Sequence, residues 1–294
     1  MTSGRSRPTW HQVLRRAGEA IGSPQEARWV VERASGWEGA ALVAHLDDVG
    51  PDRAVAHADA MVARRAGGEP LQYVLGRWQF RELELFVDRR VLIPRPETEM
   101  VVEAAVAEVG EVGRASRSHP VVVDLGTGSG AIGLSLAAEV PGARVWATDA
   151  SADALAVARA NLAGLGSHAA TRVRLVEGDW WDALPDEMRG TVDVVVSNPP
   201  YVAAGEELPP EVADWEPVSA LRAGPTGLEA LEVVVGGARE WLRRPGALVA
   251  ELAPSQARAA VTMAVEAGFG EVEVKPDLAG RARVLVARSR APGV

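Results

Sequence analysis

VVVDLGTGSGAIGLSLA, residues 121–137, opens on three β-branched residues, passes Asp124 and Leu125, and sets glycines at 126, 128 and 130 before an apolar run. The spacing predicts a buried strand over 121–125 and a helix over 130–139. Between them, glycine lets the backbone turn sharply and approach a ligand with no Cβ in the way. Three alternating glycines cost conformational entropy that a plain turn does not require, so the loop reads as a ligand cradle.

Downstream the same alternation continues. Strands are predicted at 144–148, 172–177, 192–197, 247–251, 271–275 and 283–288, with helices near 151–164, 228–242 and 255–267. Alternating strands and helices build a mostly parallel sheet with helices on both faces, an α/β Rossmann-like fold. No helix separates the last two strands, so they are expected to pair antiparallel.

Upstream the pattern differs. WQFRELELFVDRRVLI, residues 78–93, alternates apolar and polar at period two and predicts a β-hairpin within 77–93. Residues 9–66 carry helical spacings instead: Trp10, Val13, Leu14 and Ala17 in one run, Ala27, Val30, Val31 and Ala34 in the next. Ser23 and Glu26 form a capping-box pattern, with Pro24 at the first helical position. PRPETE, residues 94–99, starts a further helix through about Val109, followed by a polar loop at 113–120. The expected organisation is a small helical domain over 1–76, a hairpin linker over 77–95 and an α/β domain over 96–294.

With 40 acidic and 31 basic residues the chain has a net charge of −9. That disfavours a broad phosphate-tracking surface, and direct nucleic-acid binding is not expected. No apolar stretch approaches a membrane span, and the arginine-bearing N-terminus is followed by no signal-like apolar region. Absent cysteines exclude disulfides and thiol chemistry, and the five histidines stand in no metal-ligand spacing. The expectation is a cytoplasmic protein with no metal and no membrane attachment.

In the glycine loop the order is D-x-G-x-G-x-G, with Asp124 before the first glycine. A carboxylate beside a dinucleotide pyrophosphate would repel it, whereas beside an ammonium and a sulfonium it is favourable. Asp149, closing RVWATD, offers two oxygens to a ribose diol, which fits either kind of cofactor; it also suits the N-cap of the next helix. Asp179 can accept from an adenine amino group. Trp180 offers an aromatic wall, or is a core tryptophan. Ser129 lacks the surroundings of a nucleophile.

VDVVVSNPPY, residues 192–201, carries Asn198 to the carboxyl end of its strand, where such sheets bind ligands. Pro199 and Pro200 stiffen the chain and bring carbonyls without N–H groups. The Asn198 side-chain oxygen and the Pro199 carbonyl can accept both hydrogens of a planar NH2 group, and Tyr201 can stack on it. Such a grip polarises and aims a weakly nucleophilic amide or amine nitrogen for methylation.

Taken together, GEPLQYVLG (68–76), LIPRPETE (92–99), DLGTGSGAIGLSLA (124–137), SNPPY (197–201), EPVSAL (216–221) and KPDLAGRARVLVA (275–287) resemble the HemK/PrmC family of protein-glutamine methyltransferases. The resemblance covers nearly the whole chain, and LIPRPETE is its most specific element. It implies a class I methyltransferase domain using S-adenosylmethionine, with S-adenosylhomocysteine as product. Gly126, Thr127, Gly128, Ser129, Gly130, Asp149, Trp180 and Asn198 would contact the cofactor, alongside Asp124 and Asp179. Asn198, Pro199, Pro200 and Tyr201 would receive the glutamine of the Gly-Gly-Gln motif in class I peptide chain release factors. The helical domain would help hold that factor. Three positions depart from the family pattern: Thr226 in a Gly-rich run, Ala253 after Glu251, and Ala282 before Arg283. The competing readings are a DNA or RNA adenine amino-methyltransferase, since the same segment grips an exocyclic amino group, and a cofactor-binding protein without turnover.

Overall fold

The computed structural model describes residues 7–116 and 119–289. The N-terminal reading therefore lies partly outside the described residues, at 1–6, as does the 113–120 loop at 117–118. In chain order the elements are α1 (Trp10–Ile21), α2 (Pro24–Ser35), α3 (Ala40–Ala44), α4 (Asp52–Ala66), α5 (Leu71–Leu75), β1 (Trp78–Phe80), β2 (Leu83–Leu85) and α6 (Glu99–Ser116). There follow β3 (Val121–Leu125), α7 (Ala131–Glu139), β4 (Arg144–Asp149), α8 (Ala152–Gly164), α9 (Ser167–Ala170), β5 (Val173–Glu177), β6 (Val192–Ser197) and β7 (Val202–Ala203). The chain continues with α10 (Pro210–Ala213), α11 (Val218–Leu221), β8 (Arg222–Gly224), α12 (Glu229–Trp241), β9 (Leu242–Glu251), α13 (Ala257–Glu266), β10 (Glu271–Pro276) and β11 (Ala282–Ser289).

Two compact units share these elements: the chain up to Arg77 with Pro209–Trp215, and Trp78–Leu208 with the chain from Glu216. In the larger unit seven strands run in the order β10-β11-β9-β6-β3-β4-β5. β9, β6, β3, β4 and β5 are parallel, whereas β11 pairs antiparallel with both β9 and β10. Every residue of β6 (VDVVVS) is buried, as expected of a central parallel strand covered on both faces. Its one charge is paired: Asp193 takes Arg243 Nη1 at 2.7 Å and the Val121 N–H at 2.7 Å. From β3 the chain moves to β4 and β5 on one side and returns to β6 on the other. The carboxyl ends of β3 and β6 thus flank a topological switch point, the usual ligand crevice of such sheets.

The smaller unit is helical. Trp10, Val13, Val31, Leu42 and Ala58 form one buried cluster, and Val30, Met61, Leu71 and Val74 another. At the start of α2 the Ser23 Oγ accepts the Glu26 N–H at 3.3 Å, but the Glu26 carboxylate binds Arg65 instead of turning back to Ser23. Only half of the expected capping box forms there; the complete box is Thr9 with Gln12. Pro209–Trp215 joins this unit, and Glu211 meets Arg65 Nη1 at 2.9 Å.

The 77–93 hairpin is shorter than its alternation predicts. β1 and β2 pair from Trp78–Leu85 to Phe80–Leu83 only. Beyond them, the Asn161 side chain takes both backbone groups of Phe86, accepting its N–H at 2.7 Å and donating to its carbonyl at 3.0 Å. Asp88 then accepts the Arg90 N–H at 3.0 Å and turns the chain. Side-chain hydrogen bonds replace a ladder while Val87, Val91 and Ile93 stay buried, so burial preserves the alternation without a strand.

Candidate active site

β3 hands the chain to the glycine loop, where Gly126, Gly128 and Gly130 hold φ of 73°, 56° and 87°. A Cβ on Gly128 would meet nothing within 4 Å, so backbone conformation, not packing, demands glycine there. Gly133 is different. A Cβ would stand 2.9 Å from Asp124 Oδ2, and its absence lets the Gly133 N–H donate to that oxygen at 2.9 Å. Thr127 Oγ1 donates to the same oxygen at 2.6 Å. Asp124 is fully buried and its Oδ1 has no hydrogen-bond partner. Burial pushes this carboxyl up to about 7, against the pull of Thr127 and Gly133. It binds the two ends of the turn together from below.

Asp149 closes β4. Its Oδ2 accepts the Gly128 N–H at 2.8 Å and its Oδ1 the Ser151 N–H at 2.9 Å. Burial holds its carboxyl above the ordinary range, and these two bonds lower it again. The N-cap of α8 is Ser151, whose Oγ accepts the Ala154 N–H at 3.1 Å. Asp149 is thereby relieved of the capping duty its position suggested, and it lines a cavity of about 410 Å³.

Gly126, Gly128, Asp179, Trp180, Asn198 and Pro200 line the same cavity. Trp180 holds φ 45°, a left-handed backbone that costs a residue with a side chain roughly 1–3 kcal/mol. Its ring lies beside Gly126 and also packs on the sheet core, so it serves as cavity wall and core residue at once. Asp124, Thr127, Ser129, Gly130, Pro199 and Tyr201 fall outside the lining. Thr127, Ser129 and Pro199 are buried, and the Ser129 carbonyl accepts from Asn161 at 2.8 Å.

Sequence reading missed other parts of the wall, among them Arg90 to Leu92 after the hairpin, and Pro217, Ser219 and Ala220 around α11. The alternation over 78–93 signals burial and not a ligand wall, and Leu92 and EPVSAL stood out only through the family resemblance.

Ser197 pairs with Leu125 across β6 and β3, and its Oγ donates to the Leu125 carbonyl at 2.7 Å. Asn198 is thus level with the first residue of the glycine loop. Its Nδ2 donates to Thr98 Oγ1 at 3.2 Å, and Thr98 Oγ1 donates to Glu251 Oε2 at 2.7 Å. Gln256 Nε2 donates to the carbonyls of Tyr201 and Gly227, at 3.2 and 2.7 Å, and so fixes the end of the NPPY turn. Burial raises the Tyr201 phenol above its ordinary value; Glu251 adds to this and Arg283 opposes it. Glu97 pairs with Arg281 at 3.1 Å and Glu99 accepts the Arg81 N–H at 3.0 Å, so both glutamates have structural partners. Among the departures, Thr226 donates to Glu229 Oε1, in the first turn of α12, through its N–H and Oγ1, at 2.8 and 3.0 Å.

The cavity suits S-adenosylmethionine. Asp149 spends one backbone bond on each oxygen and keeps lone pairs for a ribose diol. Asp149 and Asp179 bring negative charge, and the one basic lining residue, Arg90, is held by Asp88 at 2.6 Å. A sulfonium with an ammonium is attracted by that balance, and a pyrophosphate is repelled. No cluster of His, Asp and Glu among the described residues has the grouping of a metal site.

A glycine loop and an Asn-Pro-Pro-Tyr turn at adjacent carboxyl ends of a mostly parallel sheet define the class as S-adenosylmethionine-dependent methyltransferase of the class I fold. Residues 9–76 match the PrmC N-terminal domain and residues 114–214 the methyltransferase small domain. The release factor glutamine methyltransferase of Cereibacter sphaeroides is 41% identical over 266 residues, 90% of each chain. That of Bordetella pertussis is 43% identical, covering 88% of this chain and 92% of its own. That of Mycolicibacterium smegmatis is 42% identical over 82% of both. The chain belongs to the release factor glutamine methyltransferase family. In fold it also resembles the hMettl16 catalytic domain solved with the MAT2A 3′UTR hairpin 6, with a TM-score of 0.54 at 17% identity over 83% and 84% of the chains.

Proposed function

We propose that this chain transfers a methyl group from S-adenosylmethionine to the side-chain amide nitrogen of the glutamine in the Gly-Gly-Gln motif of class I peptide chain release factors, leaving S-adenosylhomocysteine. The observation that carries the reading is that Asp149, the glycine loop and Asn198 line one cavity in a member of this family. When bound, the cofactor supplies an electrophilic methyl on a sulfonium.

The protein's part is binding and aim. Asp149 would hold the ribose, Asp179 and Trp180 the adenine, and the glycine loop the rest of the cofactor, over the base that Asp124 and Thr127 give it. Asn198 Oδ1 and the Pro199 carbonyl would each accept one hydrogen of the target NH2, with Pro200 and Tyr201 framing its plane. An amide nitrogen is a poor nucleophile because its lone pair is delocalised. Two acceptors polarise it and stabilise the positive charge that grows during attack. Fixing its direction supplies up to roughly 7–11 kcal/mol of the barrier reduction by proximity. Residues 1–76 would hold the release factor, residues 77–95 link, and residues 96–294 perform the transfer, in the cytoplasm where release factors act.

The test is labelled methyl transfer onto a class I release factor, onto its form with Gly-Gly-Gln changed to Gly-Gly-Ala, and onto plasmid DNA. Label on the unaltered factor alone is expected. Equal labelling of the altered factor would sink the glutamine assignment, and label on DNA alone would make an adenine amino group the acceptor.

A further inference from the structure

An amide side chain can face a site in two orientations that occupy nearly the same volume. Only one of them suits Asn198 for the task proposed above: the oxygen must face the target NH2, because an amide NH2 in its place would oppose donor to donor. Something must therefore decide between them, and the described residues contain a device that can.

Asn198 Nδ2 lies 3.2 Å from Thr98 Oγ1, which lies 2.7 Å from Glu251 Oε2. Thr98 and Glu251 are both buried, at 3% and 1% exposure. A hydroxyl has one proton to give. An ionised carboxylate only accepts, so it claims that proton, and Thr98 Oγ1 is left with lone pairs alone for Asn198. Asn198 must then turn its NH2 toward Thr98 and its Oδ1 away, toward the cavity it lines. A protonated Glu251 can instead donate to Thr98 Oγ1. The Thr98 proton is then free for Asn198 Oδ1, and the inverted amide becomes equally well bonded.

We infer that Thr98 and Glu251 form a positioning relay in which the charge on Glu251, passed through the Thr98 hydroxyl, sets which atom of the Asn198 amide faces the acceptor substrate. The inference rests on the proposed role of Asn198 for its catalytic consequence, but not for the relay itself. Neither Thr98 nor Glu251 is among the cavity-lining residues; both act through Asn198.

Burial places the Glu251 carboxyl at about 7, so the relay switches within the working range of pH. The charged groups facing Glu251 are Arg283 from β11, Arg95 and Glu97 from the segment before α6, and the Tyr201 phenol after β6. Each has a further partner or a neutral form: Arg95 pairs with Glu216, Glu97 with Arg281, and Arg283 with Asp277 at 3.5 Å, while Tyr201 stays un-ionised at neutral pH. Glu251 is the member of the group that changes charge near neutrality. Its ionised form is the one that orders Asn198, so kcat is expected to rise with pH through that titration.

Two measurements test the relay. With selectively 15N-labelled asparagine, the side-chain NH2 resonance of Asn198, assigned by its loss in Asn198→Ala, is followed from pH 5 to pH 9. It is expected to shift with the Glu251 titration in the wild type and to stay fixed in Glu251→Gln and in the near-isosteric Thr98→Val. A wild-type resonance that does not move with pH, or one that still titrates in Thr98→Val, overturns the relay whatever the methyl acceptor proves to be. In turnover, Thr98→Val is expected to lower kcat about tenfold, the loss of roughly one hydrogen bond's worth of ordering. It should also flatten the acid limb while leaving the Kd for S-adenosylmethionine within about twofold, and Thr98→Ser should restore both. An acid limb unchanged in Thr98→Val would equally overturn it. Failure of the proposed function is a separate result: there, release factor goes unlabelled while the resonance still titrates.

Discussion

Asp124 and Glu251 are two carboxyls that burial keeps near neutrality, both at about 7, and they respond to pH in different ways. Asp124 meets the glycine loop, so its titration is read in stability. Its unfolded value is the ordinary 3.8, and the folded value lies above it. A raised folded pKa means that its contribution to stability is full below about pH 4 and is lost as pH climbs through about 7. Asp124→Asn is therefore expected to gain in Tm over the wild type across that window; a Tm difference flat in pH would refute the assignment. Asp149 is read in affinity. Asp149→Asn removes the charge and half of the acceptors, and should weaken S-adenosylmethionine about tenfold by calorimetry, as hydrogen bonds to charged groups are worth roughly 1.5–3 kcal/mol. Affinity within twofold of wild type would deny it the ribose. Asn198→Ala is expected to abolish transfer while leaving cofactor affinity nearly unchanged, and turnover at the wild-type rate would refute the grip. Asp149 and Asn198 could be picked out of the sequence because each ends a predicted strand. Glu251 also ends a predicted strand and Thr98 lies in LIPRPETE, but the link between them was not legible: nothing in linear spacing connects positions 98, 198 and 251, which meet only when β6 and β9 lie side by side.

At the scale of elements, the strands with the clearest reading are those buried on both faces. VDVVVS could hardly be anything else, and β6 occupies the span 192–197 that its pattern predicts. The antiparallel β10 and β11 follow from the missing helix between them, as expected. The 77–93 segment shows the limit of the same logic. Its alternation records burial of Val87, Val91 and Ile93, which Asn161 and Asp88 achieve without a ladder. The short pair β7 and β8 escaped altogether, being too brief to carry a pattern. What holds the NPPY turn to its neighbours is Gln256, ahead of α13. It donates to Tyr201 and Gly227 and accepts the Ala253 N–H at 3.1 Å. Gln256→Ala leaves one buried and one part-buried carbonyl short of a donor and is expected to cost about 1–3 kcal/mol in urea unfolding, with a raised KM for the protein substrate. Stability within 0.5 kcal/mol of wild type, on the order of a neutral surface change, would show that water replaces the amide.

At the scale of the molecule, the chain carries a net charge of −9 without a membrane-spanning helix among the described residues. Its smaller unit is built mainly from contiguous sequence but completed by Pro209–Trp215. Arg65 ties that piece in, bonding Glu26, the Glu69 carbonyl and Glu211. Arg65→Ala is expected to raise amide exchange across 209–215 several-fold while leaving β3 and β6 protected; unchanged exchange there would mean that the arginine is dispensable to the segment. No feature of residues 209–215 announced their destination, because membership of a unit is a property of packing partners and not of local pattern.

That returning segment has a practical meaning for anyone who wishes to take the molecule apart. The backbone passes between the units at Arg77–Trp78, at Leu208–Pro209 and again at Trp215–Glu216. A gene fragment begun at Trp78 would not yield a clean catalytic half, since it would keep an orphaned stub that ends at Trp215, directly before Glu216-Pro217, where Pro217 is a wall residue of the cavity. Swapping helical units between relatives therefore calls for grafting two stretches of sequence together, and chimeras joined at one seam inherit a mismatched insert within the sequence of the half they were meant to preserve.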